Sequence, residues 1–254
     1  MNLLSIGSMG IMMPMAGVIS GGGGGGGVPV IDSFTLEVGS GGVSRSGCFE
    51  VPPVIDSGDL CVLAVAFSHY GAGFNAPAAT RKCVTYSAQA MTRSMYTGSA
   101  VEDVRVAGFT REATGGEDDG KDQEVTWSGT GSDARSCGIY MRITGANSAA
   151  PVDVISAQVN EATTSHQIPG VTTNVDNCLV LAIFAFEGGD ASDHTVSIGW
   201  TIVGQVKGGV DTYDANCLVA YKEMASAGAT GDCTVTSDVS DGSAVGMIAI
   251  KPAP

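Results

Sequence analysis

The residues whose types and spacing most resemble a functional site are acidic side chains in one short segment. The segment GGEDDGKDQE, residues 115–124, holds five carboxylates: Glu117, Asp118, Asp119, Asp122 and Glu124. Oxygen ligands clustered beside a glycine suit calcium, although this spacing differs from that of an EF-hand loop. Such a run is more often a solvated hairpin tip. Asp118, Asp119, Asp122 and Glu124 are the candidate calcium ligands, and the sequence predicts no cofactor.

The three histidines form no known catalytic or metal-binding motif. His69 follows an apolar segment, His166 lies in the turn-like TTSHQIPG, and His194 ends an acidic stretch. No HExxH, GxSxG or GxxxxGK[ST] pattern occurs. Exposed loop histidines are therefore expected. Acidic loops could supply a carboxylate pair for glycoside hydrolysis, but nothing in the sequence brings two together. The sequence predicts no catalytic residue and no enzyme.

The seven cysteines are predicted to be buried thiols. Their number is odd, no CxxC occurs, and several lie in apolar runs such as LCVLAVAF and NCLVLAIF. Cysteine then acts as a small hydrophobic residue, and assembly in a reducing compartment follows. A disulfide between two strands stays open as an alternative.

The elements that must position these residues are β-strands. Glycine is abundant at 37 residues, charged residues make up only 15%, and no long helical pattern occurs. Short apolar runs separated by Gly, Asp, Asn and Ser indicate about twelve strands. They are predicted at 33–38, 60–67, 83–90, 103–110, 124–128, 137–144, 152–158, 178–186, 194–206, 216–223, 232–237 and 245–251. The fold class is an all-β, jelly-roll-like β-sandwich.

The strand segments repeat along the chain. GDLCVLAVAF, 58–67, resembles DNCLVLAIFA, 176–185, and SDARSCGIYMRI, 132–143, resembles SDGSAVGMIAIK, 240–251. A long repeat of this kind is not a solenoid and favours two similar halves. The predicted body is 33–254, with halves at about 33–146 and 147–254.

An uncharged N-terminal arm precedes the body. Residues 1–20 are apolar and rich in methionine, and seven glycines follow from Gly21 to Gly27. Methionine adapts to irregular grooves, and an exposed apolar arm requires a partner that covers it. We predict an anchor at 1–20, a polyglycine spacer at 21–32, and these anchor and assembly residues: Leu3, Leu4, Ile11, Met12, Met13, Met15, Gly21, Gly24 and Gly27.

The net charge of the chain argues against nucleic acid as a partner, and the sequence of the arm argues against a membrane span. The formal net charge of −14 would repel a phosphate backbone, so nucleic-acid binding is not expected. Glycines, a proline and serines interrupt the arm, so a membrane span is not expected either. It also lacks the basic start of a secretory signal.

Longer pieces of the body resemble a known group of proteins. SGDLCVLAVAF, VTWSGTGSDARSCGIYMRITGANSAAPVDV and ASAGATGDCTVTSDVSDGSAVGMIAIKPA are similar to a β-sandwich of bacteriophage structural proteins. The resemblance covers about residues 55–253. It implies a virion protein assembled in the host cytoplasm, either a tail-tip or tail-fibre subunit for host attachment or a capsid decoration protein. Its expected partners are other virion proteins through residues 1–27, further copies in a homotrimer, and a host surface glycan or protein.

Two other functions remain as alternatives. A glycan-binding module of a secreted or cell-surface protein would use exposed loop aromatics, for which Tyr70, Tyr96 and Tyr213 are the candidates. A hydrolase on a β scaffold would need two carboxylates, or a serine and a histidine, within reach of each other. Trp127 and Trp200 fall in predicted strands and are expected in the core.

Overall fold

The structure is a computed structural model with fourteen β-strands and no helix among the residues it describes. It describes residues 26–39, 46–52, 55–68, 75–81, 92–98, 104–115, 122–128, 135–187, 193–208 and 215–254. The strands are β1 Val30–Gly39, β2 Ser46–Glu50, β3 Leu60–Ser68, β4 Asn75–Arg81, β5 Thr92–Gly98, β6 Val104–Glu112, β7 Asp122–Ser128, β8 Arg135–Thr144, β9 Val152–Ile168, β10 Cys178–Glu187, β11 Thr195–Val196, β12 Thr201–Lys207, β13 Ala215–Met224 and β14 Cys233–Ile250. In β2, β4, β5 and β7 the backbone is described and, of the side chains, only Phe49 and Val125. The predicted all-β class is confirmed.

The strands form three antiparallel sheets. A five-stranded sheet has the order β1-β8-β3-β6-β5, and a three-stranded sheet has the order β2-β7-β4. A six-stranded sheet has the order β11-β14-β10-β13-β12, with β9 paired to β14 outside that path. The central strands β3 and β10 are buried along almost their whole length, as their continuous apolar sequences predict.

Three hydrophobic cores separate the layers. The central core lies between the five- and six-stranded sheets and combines side chains such as Leu60, Ile139, Leu181 and Val219. The first outer core lies on the other face of the five-stranded sheet, where Phe49 and Val125 from the three-stranded sheet cover β3 and β6. In the second outer core, the end of β9, the start of β14 and Trp200 cover β10.

The same pairing pattern occurs in both parts of the chain. Strand β3 pairs with β6 and β8, and β1 pairs with β8. Strand β10 pairs with β13 and β14, and β9 pairs with β14 in the same way. The order β2-β7-β4 is likewise repeated by the end of β9, the start of β14 and β11. This pattern supports a duplication, which together with the jelly-roll connectivity stays a prediction.

Several strands differ from those predicted. The predicted strand 194–206 is interrupted by a turn at Gly199, where φ is +90°, a conformation that glycine adopts readily. The predicted strands 232–237 and 245–251 are parts of the single strand β14, and 152–158 continues in β9 to Ile168. The predicted strand 83–90 lies outside the described residues, and β2, β4 and β5 were not predicted.

The body has two distinct ends, and at each of them strand ends of the five-stranded sheet lie beside strand ends of the six-stranded sheet. At one end Leu60 pairs with Ile143, and the bridge Ala146–Pro252 joins the segments that follow β8 and β14. At the other end the thiol of Cys137 lies 2.9 Å from the carbonyl oxygen of Ala215. A nine-residue strand such as β3 is about 30 Å long, which sets the distance between the ends.

Candidate functional site

The N-terminal arm joins the body at a defined place, here called the arm root, residues 26–29. The side-chain amide of Asn177 donates a hydrogen bond of 2.9 Å to the carbonyl oxygen of Gly26. Asn177 has a φ of +58°, a left-handed conformation that asparagine tolerates better than most residues. Val28 packs against the central core and Pro29 is buried. The last residues of the spacer are therefore fixed to the body.

The arm root also contacts the C-terminus. A β-carbon built on Gly26 would stand 2.2 Å from the carbonyl oxygen of Ala253, so only glycine fits there. The amide of Ala253 in turn donates to the carbonyl oxygen of Gly145, between β8 and β9. The start of the body, its middle connection and its C-terminus thus meet at one end. Strand β1 begins at Val30, three residues before the predicted start of the body at Ser33.

We predict that Gly26→Ala lowers the free energy of unfolding by about 1 kcal/mol. The added methyl group would displace the arm root, and the loss is limited to one hydrogen bond and its contacts because the chain can undock instead. Gly27→Ala is the matched control, because nothing lies within 4 Å of a β-carbon there. Urea unfolding of both variants measures the difference. Equal stability of the two variants would show that the arm root is not docked.

A cluster of charged side chains adjoins the arm root. Arg142 donates to Asp59 at 2.6 Å, to Asp56 at 2.7 Å and to Asp32 at 3.0 Å. Asp32 comes from a bulge in β1, Asp56 and Asp59 precede β3, and Arg142 lies on β8. The guanidinium therefore ties three segments together.

The three carboxylates of this cluster are already paired with a cation, the guanidinium of Arg142. Burial alone would lower the pKa of Arg142, but the hydrogen bond that Arg142 donates to Asp59 and the charges of all three carboxylates raise this pKa above its ordinary value. Among the described residues, no three histidine, cysteine or acidic side chains are placed to hold a metal ion. The cluster acts as a structural clamp.

A second polar cluster lies near the opposite end, and its histidine and two serines are buried. His166 Nδ1 lies 2.9 Å from Ser243 Oγ, and His166 Nε2 lies 3.2 Å from Ser237 Oγ. The side-chain amide of Asn160 donates to Ser243 at 3.0 Å. His166 and Ser243 both have an exposed fraction of 0%. A serine and a histidine do come within reach, but the structure gives a substrate no access to them.

Aromatic contacts surround this cluster. The ring of His166 meets the ring of Phe186 edge-on at a centroid distance of 4.9 Å, and the ring of His194 stacks on Phe186 at 4.4 Å. The amide of Gln205 contacts His194 Nδ1. The prediction of exposed loop histidines is therefore wrong for His166 and His194, because both rings complete the packing around Phe186. His69 lies outside the described residues.

The cysteines whose side chains are described are buried thiols that form no disulfide, as predicted. They are Cys61, Cys137, Cys178, Cys217 and Cys233. Burial raises the pKa of Cys217 to about 12, so almost none of it is thiolate at neutral pH. A thiol in that state is a poor nucleophile and a poor metal ligand. Its role in the central core is packing.

The predicted site residues fall largely outside the described part of the chain. Asp118 and Asp119 are outside it, and of Asp122 and Glu124 only the backbone in β7 is described. The anchor residues outside it are Leu3, Leu4, Ile11, Met12, Met13, Met15, Gly21 and Gly24. Gly27 is described and exposed. Tyr70 and Tyr213 lie outside, and Tyr96 is described only by its backbone in β5.

Sequence reasoning missed the residues that hold the arm root. Gly26 is one of seven identical glycines, so no local signal separates it from Gly27. Asn177 follows Asp176 directly before a strand, a pattern that indicates a turn with a left-handed residue. What Asn177 binds depends on the meeting of distant segments and could not be inferred from that pattern.

Comparisons with known proteins do not extend this description. No protein-family model, no curated protein and no solved structure matches the chain. Within the described residues there is no helix with the length and hydrophobicity needed to cross a membrane.

Proposed function

We propose that this protein is a non-enzymatic structural subunit of a bacteriophage virion, anchored by its N-terminal arm and projecting its β body. It serves as a tail-tip or tail-fibre subunit for host attachment, or as a capsid decoration protein. One observation carries the proposal: the arm root lies at one end of the body, and the strand ends at Ser68, Val104 and Ala215 lie at the other.

Because these two features lie at opposite ends of the body, attachment to the particle and binding to the host can take place at different ends. An arm that docks on a neighbour at one end leaves the opposite end, about 30 Å away, free to face outwards. Segments 69–74 and 209–214, which include Tyr70 and Tyr213, follow or precede strand ends at that outer end. A host glycan or protein would be bound there.

The chemistry of the chain also supports assembly inside a cell. The first charged residue is Asp32, so the whole arm can enter an apolar groove without burying a charge. The five cysteines whose side chains are described form no disulfide, which suits assembly in the reducing cytoplasm of the host. We expect a closed homo-oligomer, with a trimer as the specific proposal.

The test compares the mass in solution of the full chain and of a chain that starts at Gly26. The truncated chain keeps the hydrogen bond to Asn177, so its body should unfold at the same temperature. We expect a trimer for the full chain and a monomer for the truncated one. Virus particles that assemble in the presence of the truncated chain should not incorporate it.

A matched control separates the apolar side chains from the length of the arm. In this control, residues 1–20 are replaced by a glycine–serine segment of equal length. It should behave like the truncated chain. If the control oligomerises and joins particles as the full chain does, the arm is not the anchor and the proposal fails.

A further inference from the structure

Strand β9 is an edge strand in the part of the chain that the structure describes. It has 17 residues, and its pairing runs along β14 from Val152–Ile250 to Ile168–Cys233. Among the described strands none pairs with its other edge. An open edge offers a row of backbone donors and acceptors to any extended segment that reaches it.

The sequence of this edge lacks the usual protection. Residues 154–160, VISAQVN, contain no charged residue and no proline. The other edge strand of this type, β1, carries Asp32 and Glu37. Proteins normally place charges, prolines or bulges on open edges to prevent strand addition. Their absence from 154–160 indicates that this edge is covered in the assembled protein.

Apolar side chains stand exposed along the same edge. Ile155 is 46% exposed and Val159 is 37% exposed, with the small Ala157 between them. The corresponding positions of β1, by their pairing with β8, are Phe34 and Val38. Phe34 packs over Gly204 in β12, together with Leu36, which closes that side of the body. On the other side of the body β5 lies near β9, yet Ile155 and Val159 keep these exposed fractions.

A second β9 strand is a poor occupant of this edge. Antiparallel pairing centred on Ala157 would place Ile155 opposite Val159 of the other copy. The same register places Asp153 opposite Glu161, twice in each dimer. Directly opposed like charges destabilise a strand pair, and the net charge of −14 adds repulsion. The edge therefore disfavours a strand that carries acidic residues.

The N-terminal arm contains a segment with no acidic residue and with the alternation typical of a strand. In MGIMMPM, residues 9–15, the apolar residues Met9, Ile11 and Met13 alternate and would share one face of a strand. They match the spacing of Ile155, Ala157 and Val159. When the backbone groups of Met9, Ile11 and Met13 pair with β9, the backbone of Pro14 faces away from β9. The lack of an N–H at Pro14 then removes no hydrogen bond to β9, and it prevents a further strand from pairing on the outer side.

The spacer is long enough for the arm to come from a neighbouring copy. Gly26 lies against Pro252 and Ala253, just beyond the end of β14. From there a strand added to β9 of the same copy is about 10 Å away, two strand spacings, which three residues span. Seven glycines reach about 24 Å when extended, which suits a step to the next subunit.

We propose that residues 9–15 of one copy add as an antiparallel strand to the β9 edge, residues 154–160, of a neighbouring copy. This inference rests on the proposed function and names the surface on which the arm docks. Backbone hydrogen bonds supply the affinity, and the apolar side chains of Ile155 and Val159 select the uncharged arm.

Full-length variants test this docking. Val159→Lys places a charge on the edge and should weaken self-association about tenfold or more, as should Ile11→Lys in the arm. Val38→Lys is the matched control, because Val38 occupies the equivalent position of β1 and is 51% exposed. It should associate like the parent chain. Unchanged thermal unfolding of all three variants shows that folding is intact.

Photo-crosslinking identifies the source of the arm. Met13 is replaced by p-benzoylphenylalanine, and copies labelled with ¹⁴N and ¹⁵N are mixed before irradiation. Crosslinks that join the arm of one isotope to the β9 peptide of the other support the proposal. Crosslinks to β9 within one isotope only, or to another strand, overturn it.

The two proposals can fail separately. If the glycine–serine control is monomeric but Val159→Lys associates normally, the arm is the anchor and β9 is not its dock. If arm replacement has no effect on association or on incorporation into particles, the proposed function itself fails.

Discussion

Gly138→Ala is expected to lower the free energy of unfolding by roughly 3 kcal/mol or more. Gly138 lies in the middle of β8, beneath the ring of Phe49. An added β-carbon would stand 2.6 Å from the carbonyl oxygen of Ala64 and 2.7 Å from Phe49 Cε1. The first is backbone of a central strand and the second is a buried ring, so neither can move without opening the first outer core.

Gly204→Ala is the control for this prediction. Its β-carbon would also meet an atom at 2.7 Å, but that atom is the terminal methyl Cδ2 of Leu36, on a partly buried side chain of an edge strand. The methyl can rotate away, so we expect a loss of about 1 kcal/mol or less. Guanidinium unfolding measures both variants. Equal losses would contradict the view that Phe49 is fixed over Gly138.

The central strands show how far sequence reasoning reached. Their apolar runs predicted strands, and the repeat predicted which strands correspond. The alignment of GDLCVLAVAF with DNCLVLAIFA equates Leu60 with Cys178. In the structure Leu60 shares the central core with Leu179, whereas Cys178 faces the second outer core. The alignment therefore differs by one residue from the one that matches the faces.

That error has a physical cause. A shift of one residue exchanges the two faces of a strand, and alternation of polar and apolar residues normally reveals it. Strands β3 and β10 are buried on both faces, so their sequences do not alternate. The sequence could therefore identify these strands without showing which side chains face which core.

The candidate site was less accessible from sequence than the fold. Seven identical glycines and an apolar arm indicated an anchor, but not the contacts of Gly26 with Asn177 and Ala253. The cluster at Arg142 joins Asp32, Asp56 and Asp59 from segments far apart in the chain. No local spacing encodes such a meeting, because the sheet pairing creates it.

His166→Ala is expected to lower the free energy of unfolding by about 3–5 kcal/mol. The ring is fully buried, contacts Phe186, and lies within hydrogen-bond distance of Ser237 and Ser243. Its removal leaves a cavity and two buried hydroxyl groups that lose a partner, and both costs add. Thr164→Ala, at an exposed position of the same strand, should change stability by about 0.5 kcal/mol or less. Chemical unfolding measures the two variants.

The surroundings of His166 and Ser243 decide whether these two side chains have a structural or a catalytic role. A serine hydrolase needs its serine open to substrate, with the histidine free to accept a proton. Ser243 instead contacts both His166 and Asn160 and has an exposed fraction of 0%. We therefore expect a fluorophosphonate probe to leave Ser243 unlabelled in the folded protein, while Ser243→Ala lowers stability by about 1–3 kcal/mol. Labelling of Ser243 without loss of fold would show that this region opens, and would favour the hydrolase over the structural subunit.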